Sequence, residues 1–418
     1  MIRILSTRRI DRVLGPRAHR MDEAVTAVRP ILEDVRKRGD EAVLDYAKRF
    51  DGFAGGSVRV EGRLLDRAVR ALSPEFRAAM EQASANIRAF AEMQLPAGKF
   101  RNIAPGLRVG QIVRPLDSVA AYIPSGRYPL PSTLMMTVIP AVVAGVTQIS
   151  VASPRPVPEI YGAAKLTGAT HVFRMGGAHA IAAFAYGTKT IPKADRIVGP
   201  GNIYVAAAKK LLAGEVGIDF VAGPTEILII AADGDPQYIA ADMLAQAEHD
   251  ADAAAVLLTP SREFAKAVAE AIETRLADLP TAAVARQAID RNSAIILVRS
   301  IEEGIEISNR FAPEHLSIPN DSLLASVRHA GSVFIGPHSP EAAGDYCSGP
   351  NHVLPTGGAA RIRGGLSVCD FVKVISVQEL SAAGLRALAP VITTLARAEG
   401  LEAHARSVEA RTEKTRRV

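Results

Sequence analysis

The chain of 418 residues contains no tryptophan and only two cysteines, Cys347 and Cys369. Two thiols in a chain of this length exclude a disulfide framework and favour a reducing compartment. Neither cysteine has the spacing of a paired metal ligand, and Cys347 is expected to be a small buried side chain. Fixed-period repeats and low-complexity tracts are also missing, which excludes solenoid and low-complexity classes.

Long hydrophobic runs are absent as well. The apolar stretch Val138–Ala144 is short and interrupted by Pro140, whereas a membrane-spanning helix needs about 20 apolar residues. The first residues, Met1–Ser6, lack the apolar core of a secretory signal. We therefore expect a cytoplasmic protein that does not enter a membrane.

The chain has no strong excess of charge of one sign. Its 49 basic residues face 44 acidic ones, which leaves a formal net charge of +5. Local basic clusters occur only near the two ends, at Arg8–Arg12 and Lys414–Arg417, and few aromatic residues accompany them. This pattern does not favour a nucleic-acid-binding protein.

The arrangement of apolar residues predicts an α/β protein of more than one domain. Apolar residues at helical spacing predict several helices between Ala18 and Pro96, and a helix from Ser261 to Leu276 with Ser261 as its N-cap. Short apolar segments predict strands at 118–123, 148–152, 171–175, 196–198, 227–231, 254–258, 294–298 and 332–335. Strands separated by segments of helix length are typical of doubly wound lobes. The tail from Gln378 to Arg411 is expected to be helical again.

The predicted domain boundaries follow these changes in pattern. We expect a mainly helical segment at 1–100 and an α/β lobe with cofactor-contacting motifs at 101–232. A second α/β lobe, with the candidate zinc and catalytic residues, is expected at 233–377, and a helical tail at 378–418. A chain of 418 residues is long enough for more than one hydrophobic core.

One segment partly matches a dinucleotide-binding loop. The sequence Gly199-Pro200-Gly201-Asn202-Ile203-Tyr204 follows a predicted strand and opens a predicted helix, as a phosphate-binding loop does. The third glycine of the complete pattern is replaced by Tyr204. A simple strand-to-helix turn relieved by two glycines therefore stays open as an alternative.

Several separated side chains are suited to metal binding and proton transfer. A helix predicted from Pro236 to Asp250 places Gln246 and His249 on one face, three residues apart. Downstream lie further candidates: Glu314, His315, Asp345, His352 and His404. Imidazole, carboxylate and amide oxygen together form a reasonable shell for Zn²⁺, and an adjacent Glu-His pair supplies a general base. Taken singly, each of these residues is equally typical of a polar surface.

The longer strings around these residues resemble the histidinol dehydrogenase family, and the resemblance extends over nearly the whole chain. It is carried by Tyr122–Gly126, Gly176–Ile181, Gly199–Asn202, Ala222–Glu226, Gln246–His249, Pro313–Leu316 and Gly344–Thr356. The resemblance implies two incomplete Rossmann-like doubly wound lobes, an N-terminal helical segment and a C-terminal helical tail. It also implies a zinc-dependent, NAD-linked, four-electron oxidation of L-histidinol to L-histidine by way of the aldehyde.

The resemblance further implies a role for each matching residue. Glu314 and His315 match the family's catalytic pair, and Tyr122, His179 and Asn202 match positions that contact NAD⁺. The zinc ligands, one ion per subunit, would be Gln246, His249, Asp345 and His404, with His404 supplied by the partner subunit of a homodimer whose C-terminal tails are swapped. Substrate contacts would come from Thr225, Gln246, His249, His315, Asp345, His352, Glu399 and His404.

Three departures from the family pattern leave alternatives open. His179 stands where the family commonly has glutamine, and Thr225 where it commonly has serine. Arg363, in a segment where the family commonly has smaller polar residues, suggests either a solvated side chain or a related enzyme that oxidises another small polar or sulfonated alcohol. A zinc-dependent hydrolase or a non-catalytic zinc-binding protein is a further alternative, which the Tyr122, Gly176 and Gly199 strings disfavour.

Overall fold

The computed structural model describes residues 2–9, 13, 21–125 and 128–413. Gly126, the expected helix start at Ala18 and the basic end Lys414–Arg417 lie outside the described residues. The chain divides into two compact units. The first comprises Met1–Gln94 with Leu116–Phe371, and the second comprises Leu95–Pro115 with Val372–Val418.

The strands are short, and those of the first unit carry mostly apolar residues. In chain order they are β1 (Arg3–Ser6), β2 (Lys99–Ala104), β3 (Leu107–Pro115), β4 (Ser118–Tyr122), β5 (Gln148–Ala152), β6 (His171–Phe173), β7 (Arg196–Val198), β8 (Gly217–Ile218), β9 (Glu226–Ile230), β10 (Ala254–Thr259), β11 (Ala294–Leu297), β12 (His315–Ile318), β13 (Ser332–Ile335) and β14 (Val372–Leu380).

The described helices separate most of these strands. They are α1 (Met21–Arg38), α2 (Asp40–Asp51), α3 (Gly62–Ala71), α4 (Pro74–Gln94), α5 (Pro131–Ala144), α6 (Pro158–Thr167), α7 (Gly177–Tyr186), α8 (Ile203–Leu212), α9 (Pro236–Ala247), α10 (Arg262–Ala277), α11 (Ala282–Asn292), α12 (Ile301–Phe311), α13 (Glu341–Tyr346), α14 (Ala382–Ala398) and α15 (Glu402–Glu413). None of the described helices combines the length and the apolar character that crossing a membrane requires.

The first unit contains two parallel sheets. The smaller has the order β6-β5-β4-β7-β8, so the chain reverses its direction of travel between β4 and β7. The larger has the order β1-β11-β10-β9-β12-β13, and its reversal falls between β9 and β12. Such reversal points open a crevice at the carboxyl ends of the strands, where α/β proteins commonly bind ligands.

Burial follows from these parallel sheets. Strands β9 and β10 are buried along their whole length, because helices cover both faces of a parallel sheet. The N-terminal helices belong to this packing, since Ala24, Val28 and Leu32 recur at helical spacing and join the core around β4, β6 and α7. The sequence pattern thus determines which face of α1 is buried.

The second unit has a different architecture. Strands β2, β3 and β14 form an antiparallel sheet in the order β14-β3-β2, and α14 packs against α15. Several large apolar side chains of this unit are exposed, among them Phe100, Ile103, Val374 and Leu395.

Most strand predictions are confirmed to within one or two residues, and Ser261 is confirmed as an N-cap that accepts a hydrogen bond from Phe264 N–H. The expected all-helical tail is wrong at its start, because β14 continues to Leu380 in register with β3. The N-terminal segment is mainly helical, as expected, and it also contains β1, which pairs with β11 at the edge of the larger sheet. Cys347 was expected to be buried and is exposed.

The helix predicted to run from Pro236 to Asp250 ends at Ala247. His249 therefore lies in a tight turn after α9, where its backbone N–H approaches the carbonyl oxygen of Gln246 at 3.4 Å. Gln246 is fully buried in the last turn of the helix, whereas His249 is exposed. The two side chains thus do not share one helix face as the spacing predicted.

Candidate active site

The adjacent residues Glu314 and His315 lie where β12 begins. His315 is the first residue of the strand and stands beside Ile227 of β9, and both acid–base side chains are buried. This position is the amino edge of the larger sheet. We expected ligands at the carboxyl ends of the strands, so the Glu-His pair lies at the opposite edge.

The His315 ring is held in one orientation by the backbone. Its Nδ1 lies 3.1 Å from the carbonyl oxygen of Glu226, and a carbonyl can only accept, so Nδ1 carries the proton. In the neutral ring Nε2 is then the unprotonated nitrogen. Burial lowers the pKa of His315 to about 4, which keeps the ring neutral at pH 7 and ready to accept a proton.

The Glu314 carboxyl is anchored on one oxygen. Oε2 lies 2.6 Å from the hydroxyl of Thr225 and accepts the backbone N–H of Glu226 at 2.8 Å. Complete burial raises the pKa of Glu314 well above its usual range, because a charge is costly to remove from water. A carboxyl group of this kind is suited to taking and returning a proton near neutral pH.

The amide of Gln246 packs against the same groups. It contacts the hydroxyl of Thr225 at 2.5 Å, and hydrogen bonds are satisfied when its nitrogen faces Glu341 Oε2, at 2.9 Å, and its oxygen accepts from Glu226 N–H, at 3.0 Å. In that orientation the oxygen is occupied by protein donors. Coordination of a metal by Gln246 therefore requires the amide to turn over.

Asp345 stands between two histidines. Its carboxylate oxygens lie 4.0 Å from Nε2 of His249 and 4.0 Å from Nδ1 of His352. His352 is oriented on both sides, since Nδ1 donates to the backbone carbonyl of Asp345 at 2.7 Å and Nε2 lies 3.0 Å from the hydroxyl of Thr133. Burial lowers the pKa of His352. Neutral imidazoles beside a carboxylate match the donors that Zn²⁺ prefers.

Glu341 is a member of the site that the sequence prediction missed. Ligand atoms of His315, Glu341 and Asp345 all lie within 4.8 Å of one another, and Glu341 Oε1 is 3.8 Å from Nδ1 of His315. Burial raises the pKa of Glu341 well above its usual range. The sequence feature that could have identified Glu341 is its spacing from Asp345. The two residues are four positions apart and share one face of the short helix α13.

This donor set fits a divalent cation. Carboxyl groups and imidazoles converge here without a lysine or arginine among them: the buried Glu314, His315 and Glu341, the half-buried Asp345 and His352, and the exposed His249 at the rim. Such a concentration of acids is stabilised by a positive charge. The residues present are therefore compatible with a zinc ion close to His249 and Asp345.

A second group of expected residues lies at the carboxyl edge of the smaller sheet. Tyr122 ends β4, and its hydroxyl accepts the backbone N–H of Gly177 at 3.2 Å; burial raises the pKa of this phenol to about 12. Gly199 follows β7 with a φ of +106°, and a Cβ placed there would stand 2.2 Å from the carbonyl oxygen of Tyr122. Only glycine fits this turn.

The other two expected cofactor contacts differ in exposure. Asn202 is exposed and caps α8 by accepting the N–H groups of Tyr204 and Val205. His179 is 1% exposed, and its Nε2 lies 3.1 Å from Asp51 Oδ2. His179 thus lies buried in the first turn of α7, next to the glycine turn at which this helix begins. This is the same carboxyl edge at which Tyr122 and Gly199 lie.

Arg363 is neither a solvated side chain nor a free cation. Its guanidinium pairs with both carboxylate oxygens of Asp370, at 3.1 and 3.2 Å, donates to the backbone carbonyl of Asp219 and lies 4.9 Å from the ring centre of Phe220. The same carboxylate also accepts a hydrogen bond from Arg196 at 2.9 Å, so Arg363 and Arg196 share Asp370 and the Arg363 side chain is held by contacts within the protein.

His404 and Glu399 belong to the second unit, and both are exposed there. Glu399 caps the end of α14, and His404 lies in the first turn of α15. The first unit alone brings together Thr225, Gln246, His249, Glu314, His315, Asp345 and His352.

Fold and site together define an α/β enzyme with buried acid–base groups at one sheet edge and glycine turns at another. Residues 16–412 match the family model described as "Histidinol dehydrogenase". The chain belongs to the histidinol dehydrogenase family and is an oxidoreductase, as the sequence strings indicated.

Similar proteins support this assignment over the whole chain. A histidinol dehydrogenase of Methanothermobacter thermautotrophicus is 46% identical over 413 residues, covering 97% of each chain, and one of Bacillus anthracis is 45% identical over 410 residues, covering 96% of this chain and 95% of that one. The crystal structure of histidinol dehydrogenase from Elizabethkingia anophelis superimposes with a TM-score of 0.94 at 35% identity and covers 99% of both chains.

Proposed function

We propose that the protein catalyses the zinc-dependent, NAD-linked, four-electron oxidation of L-histidinol to L-histidine through the aldehyde. The observation that carries this proposal is the buried Glu314–His315 pair beside the carboxylate of Asp345, in a member of the histidinol dehydrogenase family. The oxidation needs a base for the alcohol proton and an activated water for the aldehyde, and these two residues have the chemistry for both.

When bound, NAD⁺ supplies the hydride acceptor and Zn²⁺ supplies a fixed positive charge that orients polar groups of the substrate. His249 and Asp345 are suitably placed to hold zinc. Gln246 joins them if its amide turns over, and His404 would complete the set from a second subunit. Tyr122, His179 and Asn202 would form the cofactor site at the carboxyl edge of the smaller sheet.

His315 acts as the base of both oxidations. Its Nδ1–H is taken up by the carbonyl of Glu226, so Nε2 is the atom that accepts the hydroxyl proton. Loss of that proton and of a hydride from the carbinol carbon gives the aldehyde. The same nitrogen accepts a proton again when the hydrated aldehyde, already deprotonated on one oxygen because Glu314 holds the proton of the attacking water, loses its hydride and becomes the carboxylate.

Glu314 activates the water that adds to the aldehyde. Its anchored Oε2 is held by Thr225 and Glu226, so Oε1 is the atom that takes a proton from water as the oxygen attacks the carbonyl carbon. Its raised pKa makes the carboxylate a stronger base than an exposed glutamate.

Substrate recognition uses the polar groups around this pair. His352, held by Thr133 and the Asp345 carbonyl, and the hydroxyl of Thr225 are suited to hydrogen bonds with an amino alcohol. Glu399 would pair with the substrate ammonium. A cationic substrate suits a site with several carboxyl groups and no basic neighbour among the residues just described.

Several further features stay predictions. We propose a cytoplasmic homodimer with swapped C-terminal tails and one zinc ion per subunit. The exposed apolar side chains of the second unit, such as Ile103 and Leu395, support a covered surface there.

The deciding experiment is the yield of NADH from purified, zinc-loaded protein given a limiting amount of L-histidinol. We expect two NADH per histidinol, and loss of turnover after chelation that zinc restores. Formation of one NADH would limit the enzyme to the aldehyde stage. Silence with histidinol but turnover of 2,3-dihydroxypropane-1-sulfonate would instead assign it to a related alcohol dehydrogenase, a result that the pairing of Arg363 with Asp370 disfavours.

A further inference from the structure

Two buried carboxylates hold glycine turns at the carboxyl edge of the smaller sheet. Asp51, the last residue of α2, accepts the backbone N–H of Gly176 at 2.9 Å. Asp219, just after β8, accepts the backbone N–H of Gly199 at 2.8 Å. Both aspartates are less than 8% exposed, so each hydrogen bond is shielded from water.

Each carboxylate has its own buried basic partner. His179 Nε2 lies 3.1 Å from Asp51 Oδ2. The ammonium of Lys209 contacts Asp219 and also donates to the carbonyl oxygen of Gly199 at 3.0 Å. Both partners are nearly fully buried. Burying a polar or charged group is costly unless it is hydrogen-bonded or paired, so each aspartate depends on the partner beside it.

The anchored turns need support from outside their own residues. Gly177 and Gly199 have φ values of +56° and +106°. Glycine adopts positive and negative φ about equally readily, so its own backbone preference does not hold it in this conformation. Both turns converge on Tyr122, whose hydroxyl accepts from Gly177 and whose carbonyl oxygen limits the space at Gly199. The hydrogen bonds from Asp51 and Asp219, the two anchors of these turns, thus determine the shape of the crevice around Tyr122.

We propose that Asp51–His179 and Asp219–Lys209 are two positioning pairs that hold these glycine turns in the geometry the dinucleotide needs. They act through the backbone of Gly176 and Gly199. This inference rests on the proposed NAD-linked function. The crevice lies where the strand order of the smaller sheet reverses, and doubly wound proteins bind nucleotides at such points. It assigns His179 to positioning, and it adds Asp51, Asp219 and Lys209 to the cofactor site.

The test compares NADH affinity, followed by fluorescence titration, in anchor variants and a matched control. Asp51→Ala and His179→Leu are expected to weaken NADH binding roughly tenfold or more, because a buried N–H or carboxylate loses its partner. His179→Gln keeps a donor for Asp51 and is expected to stay within about threefold of the wild type.

The control is Asp195→Ala. Asp195 Oδ2 also accepts two backbone N–H groups, of Asp117 and Ser118, each at 3.0 Å, but at the amino edge of the same sheet. Its loss is expected to leave NADH affinity unchanged. In steady state, the anchor variants should raise KM for NAD⁺ while KM for histidinol stays constant, which a general loss of stability would not produce.

The outcomes separate the two proposals. Wild-type protein that binds no NADH would remove the proposed NAD-linked function. Wild-type binding with unchanged affinity in His179→Leu and in Asp219→Ala, which removes the acceptor of the Gly199 N–H, would overturn the positioning role alone. If Asp51→Ala does not fold, the contrast between His179→Leu and His179→Gln decides the matter, since equal affinities in that pair refute the inference.

Discussion

The carboxyl edge of the smaller sheet and the amino edge of the larger sheet are built from different chemical groups. At the first edge, glycine turns at Gly177 and Gly199 are held by buried carboxylates and by Tyr122. At the second edge, side chains such as Glu314 and His315 converge at the start of β12. Backbone turns shape a surface for a large ligand, whereas side chains supply groups that exchange protons.

The two edges also differ in how charge is balanced. Asp51 and Asp219 each have a basic partner in the protein. Glu314, Glu341 and Asp345 instead gather around neutral imidazoles, and burial raises the pKa of both glutamates. The first edge thus pairs its aspartates with side chains of the chain itself, whereas the residues of the second edge fit a cation from outside the chain.

The largest effect is expected from a substitution that disrupts the catalytic chemistry of the second edge and leaves the first edge intact. His315→Asn removes the base but can keep a donor for the Glu226 carbonyl, so kcat should fall about a thousandfold, within the usual range for general-base loss. Bound zinc, measured by elemental analysis, and NADH affinity should both stay at wild-type values. Substantial residual turnover would remove His315 from its assigned role.

The next largest effect is expected from a substitution that distorts a glycine turn of the first edge and leaves the second edge intact. Gly199→Ala places a Cβ 2.2 Å from the Tyr122 carbonyl oxygen at a φ of +106°, so the turn must move and NADH affinity should fall at least tenfold. Gly214→Ala is the matched control, because Gly214 has a φ of +101° and open space around its Cβ position. Equal loss of affinity in both variants would point to backbone strain rather than the shape of the crevice.

A smaller effect is expected on the pH dependence of stability, through His315 at the second edge. The pKa of His315 falls from 6.5 to about 4 in the folded protein, so the unfolded chain binds this proton more readily. Stability should therefore be lost as the pH falls from about 6.5 towards 4, and about 2 kcal/mol of it by pH 5. Urea denaturation of metal-free wild type and His315→Asn at pH 7 and pH 5 measures this, and the variant should lose less stability than the wild type. Parallel losses in the two proteins would contradict the assignment.

The smallest expected effect concerns substrate charge. Arg363 pairs with Asp370 and contacts Phe220 and the backbone of Asp219, close to the first edge. Arg363→Gln should therefore leave the ratio of kcat/KM for histidinol to that for an anionic alcohol within about twofold. A marked shift in that ratio would place Arg363 near the substrate after all.

Much of the first unit follows from local sequence patterns. The strands from β4 to β7 and β9 to β11 consist mostly of buried apolar residues, and such segments are easily recognised because both faces of the sheet are covered. Strand β12 was missed since its four residues begin with a histidine and include Ser317. Strands β3 and β14 were missed for a different reason, because antiparallel partners more than 250 residues apart in sequence leave little local signal.

The site was only partly predictable for the same reason. Glu314 and His315 are adjacent in sequence, and their partnership is a local property. Glu341 becomes their neighbour only through the packing of α13. The expected helix through His249 ends two residues earlier, and that ending directs Gln246 into the core while His249 stays at the rim.

The sequence by itself determined the α/β class, the family and the candidate chemistry, because apolar periodicity and short motifs act over a few residues. Only the tertiary structure decided which charges are neutralised. Asp51 meets His179 across 128 residues, and Arg196 meets Asp370 across 174, while Glu314, Glu341 and Asp345 meet without a lysine or arginine partner among the described residues. Electrostatic energy depends on distance in space and on burial, and neither quantity can be read from separation along the chain.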